Sequence, residues 1–236
     1  VYVPPTNDPD WTIEVDGSVP AGRPYVTGAV IRGLDLDESS LASLIQLQEK
    51  LHATMGRERA KGAIGIHDLT MLKGAAGTEG RKTITYRGVE PDGDRFVPLD
   101  ADAAMTPADV LDDHAVGERY ADLVAGLDRY PAIYDELGLF SFPPVINGAR
   151  TEVDTGSREL FVEMTGTDQW TIDRMLNVVC YALDARGATI ERVDVRYADD
   201  AVVPEAGPRL ERPDLSVETK RGPHHRPERG PGGGLD

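Results

Sequence analysis

The chain has a single cysteine, Cys180, among 236 residues, and only five of its 25 basic residues are lysine. One cysteine excludes an internal disulfide framework and a zinc site built from cysteines. No apolar run approaches the roughly 18 residues that a membrane-spanning helix needs. The first ten residues lack the basic-then-apolar pattern of a signal peptide. We therefore expect a cytoplasmic protein, and because the chain begins with Val1 we expect it to be a piece of a longer product.

Acidic residues dominate the charge, with 41 acidic against 25 basic side chains and a formal net charge of −16. Abundant aspartate with scarce lysine resembles the composition of proteins from salt-loving cells. At about 1 M salt the Debye length is roughly 3 Å, so surface charge hardly repels a distant polyanion. Release of counterions from phosphates is also weakened there. The acidity therefore does not exclude an RNA partner.

Three regions differ in composition. Residues 1–23 are rich in proline and predict an extended linker from a missing N-terminal domain, with one possible strand over residues 11–15. Residues 24–200 alternate helical and strand patterns and predict the folded domain. Residues 201–236 are polar and proline-rich, and residues 221–234 contain no residue that could form a core. We expect a disordered tail there, for which an altered reading frame is one explanation.

Hydrophobic periodicity predicts an α+β fold, with mixed sheets and packed helices. Helices are expected over residues 37–55, 106–127 and 168–185; the second begins with the capping Thr106 and Pro107. Asn147 and Gly148 predict a turn. Strands are expected over residues 25–32, 63–66, 83–90, 95–99, 132–134, 139–142, 159–165 and 189–197, with 83–90 and 95–99 paired as a hairpin.

Four stretches in order resemble the archaeal and eukaryotic form of the phenylalanyl-tRNA synthetase beta subunit. They share the residue types and spacing of that family, and no single one is diagnostic alone. They are QEKLH at 48–52 with GRER at 56–59 and IGIHD at 64–68, FVPL at 96–99, SFPPVIN at 141–147, and LFVEMTGTD at 160–168.

The resemblance implies the paired B3/B4 editing domain over residues 24–200, with residues 209–220 similar to the start of the following B5 domain. It implies hydrolysis of wrongly made tyrosyl-tRNA(Phe), without the amino-acid activation site. Implied partners are tRNA(Phe) and the alpha subunit of the full heterotetramer. Editing would need no cofactor, whereas the full synthetase uses ATP and Mg²⁺.

The strand at residues 159–165 is the most informative segment, because alternate side chains of a strand lie on opposite faces. Leu160, Val162 and Met164 form an apolar face. The other face carries Phe161, Glu163 and Thr165: an aromatic ring, a carboxylate and a hydroxyl. From the residues alone, an exposed polar strand face is the simpler explanation of this pattern. The resemblance instead places an acidic residue and a threonine of this motif in an editing pocket.

Glu163 is our candidate for recognising the tyrosine hydroxyl, and with Thr165 it forms the candidate catalytic pair. Backbone N–H groups near Gly166 and Thr167 could stabilise an oxyanion. Phe161, Ser141 and Asn147 are candidate substrate contacts. The sequence leaves simpler roles open, because Ser141 could hydrogen-bond to backbone at a strand end and Asn147 could form a turn.

Basic residues just after the first predicted helix, Arg57 and Arg59, are the candidate RNA contacts, although solvated surface charge would look the same. His67 and Asp68 allow a catalytic or metal interpretation, but a structural turn with a capping aspartate is the simpler one. Two functions remain open: an editing hydrolase, or a non-catalytic tRNA-binding or assembly fragment of the subunit.

Overall fold

The computed structural model describes residues 5–77 and 80–198. Within them the chain forms ten strands and four α-helices in mixed order, which confirms a fold of helices packed on strands. The helices are α1 (Glu38–Ala53), α2 (Pro107–Asp113), α3 (Ala115–Tyr120) and α4 (Gln169–Asp184). The strands are β1 (Trp11–Val15), β2 (Tyr25–Arg32), β3 (Gly62–Asp68), β4 (Ala75–Ala76), β5 (Lys82–Val89), β6 (Tyr130–Asp135), β7 (Gly138–Phe142), β8 (Ile146–Asn147), β9 (Glu159–Gly166) and β10 (Thr189–Tyr197).

Helix ends follow the capping chemistry in the sequence. Asp37 accepts a hydrogen bond from the backbone N–H of Ser40 at the start of α1, and Asp168 caps α4 in the same way. Thr106 caps α2 and Pro107 takes its first position, as predicted. The side chain satisfies an N–H group that has no partner within the first turn.

The strands form one mixed sheet in the order β3-β9-β2-β10-β1-β5-β6-β7-β8, with β4 paired to β5. Strand β1 runs parallel to both β10 and β5, and the other neighbours are antiparallel. Strand β9 lies between β3 and β2, so both of its edges are hydrogen-bonded. This position fixes the direction of its side chains.

The alternation predicted for β9 is confirmed by the two cores on either side of it. Leu160, Val162 and Met164 pack with the buried face of α4 in one core. Phe161 packs in a second core that contains Trp11 and residues of β1, β5 and β7. A third core lies around α2, α3 and β7. Because β9 contributes to two of these cores, its register is fixed from both faces.

The structure changes the boundary expected at residue 24. Strand β1 belongs to the sheet interior rather than to a linker, and Trp11, Ile13 and Val15 are buried. Residues 11–15 alternate in the sequence as a strand does. Their parallel partners, β5 and β10, lie far along the chain, so the sequence does not show that this strand joins the sheet. The predicted tail at 201–236 is outside the described residues.

Several local predictions were wrong. Residues 95–99 do not pair with β5, whose partner is β6; Phe96 instead bridges to Met105. The helix expected over 106–127 breaks at His114. Asn147 lies in β8 opposite Ser141, not in a turn. In each case a tertiary partner overrides the local pattern.

We predict that Ile13→Ala lowers the free energy of unfolding by about 2–5 kcal/mol, because Ile13 is fully buried and the change leaves a cavity. Glu14→Ala is the matched control, since the neighbouring side chain is exposed and its loss should cost under about 0.5 kcal/mol. Denaturant unfolding at high salt measures both. Equal, small effects would show that β1 does not belong to the cooperative fold.

Candidate functional site

Glu163 lies at the centre of β9 and is 1% exposed. Its cross-strand neighbours are both glycine, Gly28 on β2 and Gly65 on β3. A Cβ atom at Gly65 would lie 2.1 Å from Oε1 of Glu163, a distance that real atoms do not adopt. The missing side chain therefore provides the space that the carboxylate occupies.

The two carboxylate oxygens of Glu163 have different surroundings. Oε1 lies 3.3 Å from the hydroxyl of Ser141, which can donate to it, and 3.7 Å from Nε2 of His67. Oε2 is buried and has no hydrogen-bond partner among the described residues. A buried acceptor without a partner is costly, and native proteins keep such groups mainly where a ligand or water completes them.

Glu163 forms part of the wall of a cavity of about 380 Å³, within the roughly 300–1,000 Å³ typical of small-molecule sites. Ser141 and Asn147 lie beside it, and the hydroxyl of Ser141 is 3.1 Å from Oδ1 of Asn147. The remaining walls come from α1, the loop after it, β3, the loop before α2, α3, the loop after β7 and the start of β8. They are Ile45, Gln48, Glu49, Arg59, Ala63, Ile64, Leu99, Asp100, Val116, Pro143, Pro144, Val145 and Ile146.

Arg59 enters this cavity from an unusual loop. Arg57, Glu58 and Arg59 all have positive φ angles, of 48°, 51° and 68°, a conformation that costs non-glycine residues energy and persists only where surroundings enforce it. The guanidinium of Arg59 lies 4.2 Å from the centre of the Tyr120 ring and donates to the carbonyl of Val145 at 2.7 Å. It therefore contacts the cavity wall, whereas Arg57 is exposed.

Arg23 holds that loop against β9, and no motif in the sequence marks it as a site residue. Its Nη1 donates to the carbonyl of Arg59 at 3.1 Å, and its Nε and Nη2 donate to the hydroxyl and carbonyl of Thr165 at 2.9 and 2.8 Å. Burial lowers the pKa of Arg23 to about 10, so it stays cationic at neutral pH and attracts the Glu163 carboxylate. It is a buried cation placed to stabilise a buried anion.

The other predicted site residues on β9 lie apart from this cavity. The Thr165 side chain is fully buried against Arg23. Phe161 packs on Trp11, with ring centres 5.7 Å apart. Gly166 pairs with Gly62 and Tyr25 in the sheet. None of these three is among the described residues that line the cavity.

Thr167 does not supply an oxyanion donor in this geometry. Its side chain is exposed, and its backbone N–H donates to the carbonyl of Lys61 at 3.1 Å. Of the predicted row along β9, only Glu163 reaches the cavity. Ser141, Asn147 and Arg59 join it from other elements.

Asp68 caps the 3-10 helix Leu69–Met71 by accepting from the N–H of Thr70, which confirms the predicted capping role; His67, expected in the same turn, lies in β3. Its neighbour His67 is fully buried beside Glu163. No group of three or more His, Cys, Asp or Glu side chains suited to a metal ion occurs within residues 5–77 and 80–198. Over the same residues, no helix is long and apolar enough to cross a membrane.

No protein-family model matches the chain. Individual proteins do match it. The phenylalanine–tRNA ligase beta subunit of Halorubrum lacusprofundi is 73% identical over 230 residues, which are 97% of this chain and 40% of the relative. The beta subunit of Natronomonas pharaonis is 69% identical over 231 residues, and that of Methanocella arvoryzae is 44% identical over 215 residues. The first two relatives are haloarchaeal, which fits the acidic, lysine-poor composition.

A solved structure shares the fold. The crystal structure of an N-terminal fragment of the phenylalanyl-tRNA synthetase beta subunit from Pyrococcus horikoshii superposes with a TM-score of 0.75 at 36% identity. The match covers 84% of this chain and 54% of that fragment. The chain thus spans about two fifths of the curated relatives that it matches, and over 97% of its own length it is similar to phenylalanine–tRNA ligase beta subunits.

Proposed function

We propose that this chain is the B3/B4 editing domain of a phenylalanyl-tRNA synthetase beta subunit and hydrolyses the ester of tyrosyl-tRNA(Phe). The observation that carries the proposal is that Glu163 lines a ligand-sized cavity and that its buried Oε2 has no hydrogen-bond partner among the described residues. The names of the relatives support the enzyme class, since each is a phenylalanine–tRNA ligase beta subunit.

A carboxylate in this position distinguishes tyrosine from phenylalanine. An apolar synthesis pocket rejects poorly an isostere that merely adds a hydroxyl. Here the phenol would donate to Oε2 of Glu163 and complete its hydrogen bonding, whereas a bare phenyl ring would cover the charge without a partner. Leaving a buried charge unpaired costs several kcal/mol. The site therefore favours the amino acid that the synthesis pocket fails to exclude.

Hydrolysis at this site would depend on positioning rather than on a nucleophilic side chain. An aminoacyl ester is already reactive, so a held water and a stabilised oxyanion suffice. Ser141 and Asn147 offer polar groups on the cavity wall, and Arg59 brings a cation to the same cavity. Thr165, our predicted catalytic partner, would act indirectly, by anchoring Arg23.

Recruitment of the substrate would involve tRNA(Phe) and, in the complete heterotetramer, the alpha subunit. Arg57 remains the proposed phosphate contact because its side chain is exposed next to the cavity loop. ATP and Mg²⁺ would serve only the synthesis reaction of the complete enzyme. Since the chain spans about 40% of its relatives, a second candidate function is a non-catalytic tRNA-binding or assembly fragment.

We predict that Glu163→Ala slows deacylation of Tyr-tRNA(Phe) about 10- to 100-fold, the equivalent of losing a hydrogen bond to a charged group. Deacylation of Phe-tRNA(Phe) should rise, because the substitution removes the buried charge that a bare phenyl ring would cover without a partner. Deacylation rates at high salt measure both. Glu159→Ala, on the same strand but in a partly exposed pair with Arg32, is the control and should leave both rates unchanged.

Equal loss on both substrates would contradict the role of Glu163 in recognition. Binding of tRNA(Phe) by the unaltered chain without release of tyrosine would instead favour the non-catalytic function.

We also predict that Gly65→Ala abolishes preferential deacylation of Tyr-tRNA(Phe), because the new methyl group would displace the Glu163 carboxylate. Gly22→Ala is the matched control: its Cβ would meet only Leu127 Cδ2, at an ordinary 3.5 Å. The same assay compares the two. Normal selectivity in Gly65→Ala would show that selectivity does not depend on the position of the Glu163 carboxylate seen in the structure.

A further inference from the structure

His67 faces the carboxylate of Glu163 from β3. Its Nε2 lies 3.7 Å from Oε1, and both side chains are buried. Nε2 has no hydrogen-bond partner within the described part of the chain, and His67 does not contribute to the cavity wall. Any influence of His67 on a ligand must therefore pass through Glu163.

The imidazole ring is held in one orientation. Its other nitrogen, Nδ1, lies 2.9 Å from the hydroxyl of Thr151. The ring meets Phe140 edge-on, with centres 4.9 Å apart and planes at 89°. On the side of Glu163, a Cβ atom at Gly65 would lie only 2.8 Å from Nε2. The absence of a side chain at Gly65 therefore gives space to both members of the pair.

The proton on this ring can be assigned from its neighbours. A bare Nε2 would direct its lone pair at a carboxylate oxygen, and two acceptors facing each other in a buried site repel. A proton on Nε2 turns this repulsion into attraction. Nδ1 can then accept from the Thr151 hydroxyl or, in the imidazolium, donate to it. Both arrangements place a proton between His67 and Glu163. The alternative, in which Nδ1–H donates to Thr151 while the Thr151 hydroxyl donates to the Gly148 carbonyl at 3.3 Å, leaves Nε2 bare and keeps the repulsion.

We propose that His67 is a positioning residue that, with Ser141, holds Oε1 of Glu163 and so leaves Oε2 as the acceptor for a ligand hydroxyl. This inference rests on the proposed function, because it assigns the cause of the selectivity for tyrosine. Without the proton on Nε2, repulsion would turn the carboxylate plane away from His67, and neither of its two equivalent oxygens would stay at the position that Oε2 occupies.

Two substitutions separate the roles of the ring nitrogens. His67→Asn keeps a donor near the Nδ1 position for Thr151 and removes the Nε2 atom. His67→Gln can place an N–H donor near the Nε2 position. We expect His67→Asn to lower the ratio of Tyr-tRNA(Phe) to Phe-tRNA(Phe) deacylation about tenfold, because Oε1 loses the attraction of the N–H group that faces it at 3.7 Å. His67→Gln should recover most of that ratio.

Because the ring is buried, unfolding at high salt is measured for each variant. Equal loss on both substrates, or an unchanged ratio in His67→Asn, would overturn the proposal. In a Glu163→Ala background the His67→Asn substitution should have no further effect on the ratio; an additive effect would also overturn it.

A second measurement does not depend on editing. Nitrogen-15 NMR of the imidazole rings in the 236-residue chain, assigned with His67→Asn, reports which nitrogens carry protons. We expect a protonated Nε2 at neutral pH; an unprotonated Nε2 would refute the inference. If the chain shows no preference for Tyr-tRNA(Phe) while Nε2 is protonated, the proposed function fails and the assignment of the His67 proton stands.

Discussion

A carboxylate buried in the middle of a sheet is the constraint on which this site depends. Removing Glu163 from water is costly unless opposite charge and hydrogen bonds compensate it. The fold supplies a buried cation, Arg23, one hydroxyl from Ser141 and an imidazole from His67. It leaves one carboxylate oxygen without a partner in the part of the chain that the structure describes. Because the Glu163 carboxylate is only partly compensated, the site has its proposed preference for a ligand that carries a hydrogen-bond donor.

The surrounding elements keep this carboxylate in place. Strand β9 is paired on both edges and packs into two cores, so it cannot slip by one residue without turning Leu160 and Val162 out of one core. The loop that carries Arg59 is held in a left-handed conformation by hydrogen bonds from Arg23. The cavity therefore has a rigid wall at the carboxylate and a strained loop beside it, an arrangement suited to a preorganised binding site.

Local sequence patterns predicted the parts of the fold that depend on local physics. The alternation along β9 and the cap at Thr106 are features of adjacent residues, and the structure confirms them. The alternation could not distinguish a cavity from a core on the same face: Phe161 packs on Trp11 of β1, whose place in the sheet depends on parallel partners far along the chain.

Long-range contacts account for most of what the sequence did not indicate. Arg23 and Thr165 are 142 residues apart, and no periodicity links them. The sequence favours a structural turn at His67 and Asp68, and only the register of β3 on β9 brings the His67 ring to Glu163. In the sequence, Gly65 resembles any other glycine within a strand. Only the structure shows that its missing side chain makes space for the Glu163 carboxylate.

A crystal structure of this chain with a non-hydrolysable tyrosyl-adenosine analogue would test the central claim most directly. The account predicts the phenol oxygen within hydrogen-bonding distance of Oε2 of Glu163, at about 2.6 Å. A tyrosyl ring bound elsewhere, or bound in this cavity with its hydroxyl directed away from Glu163, would contradict it.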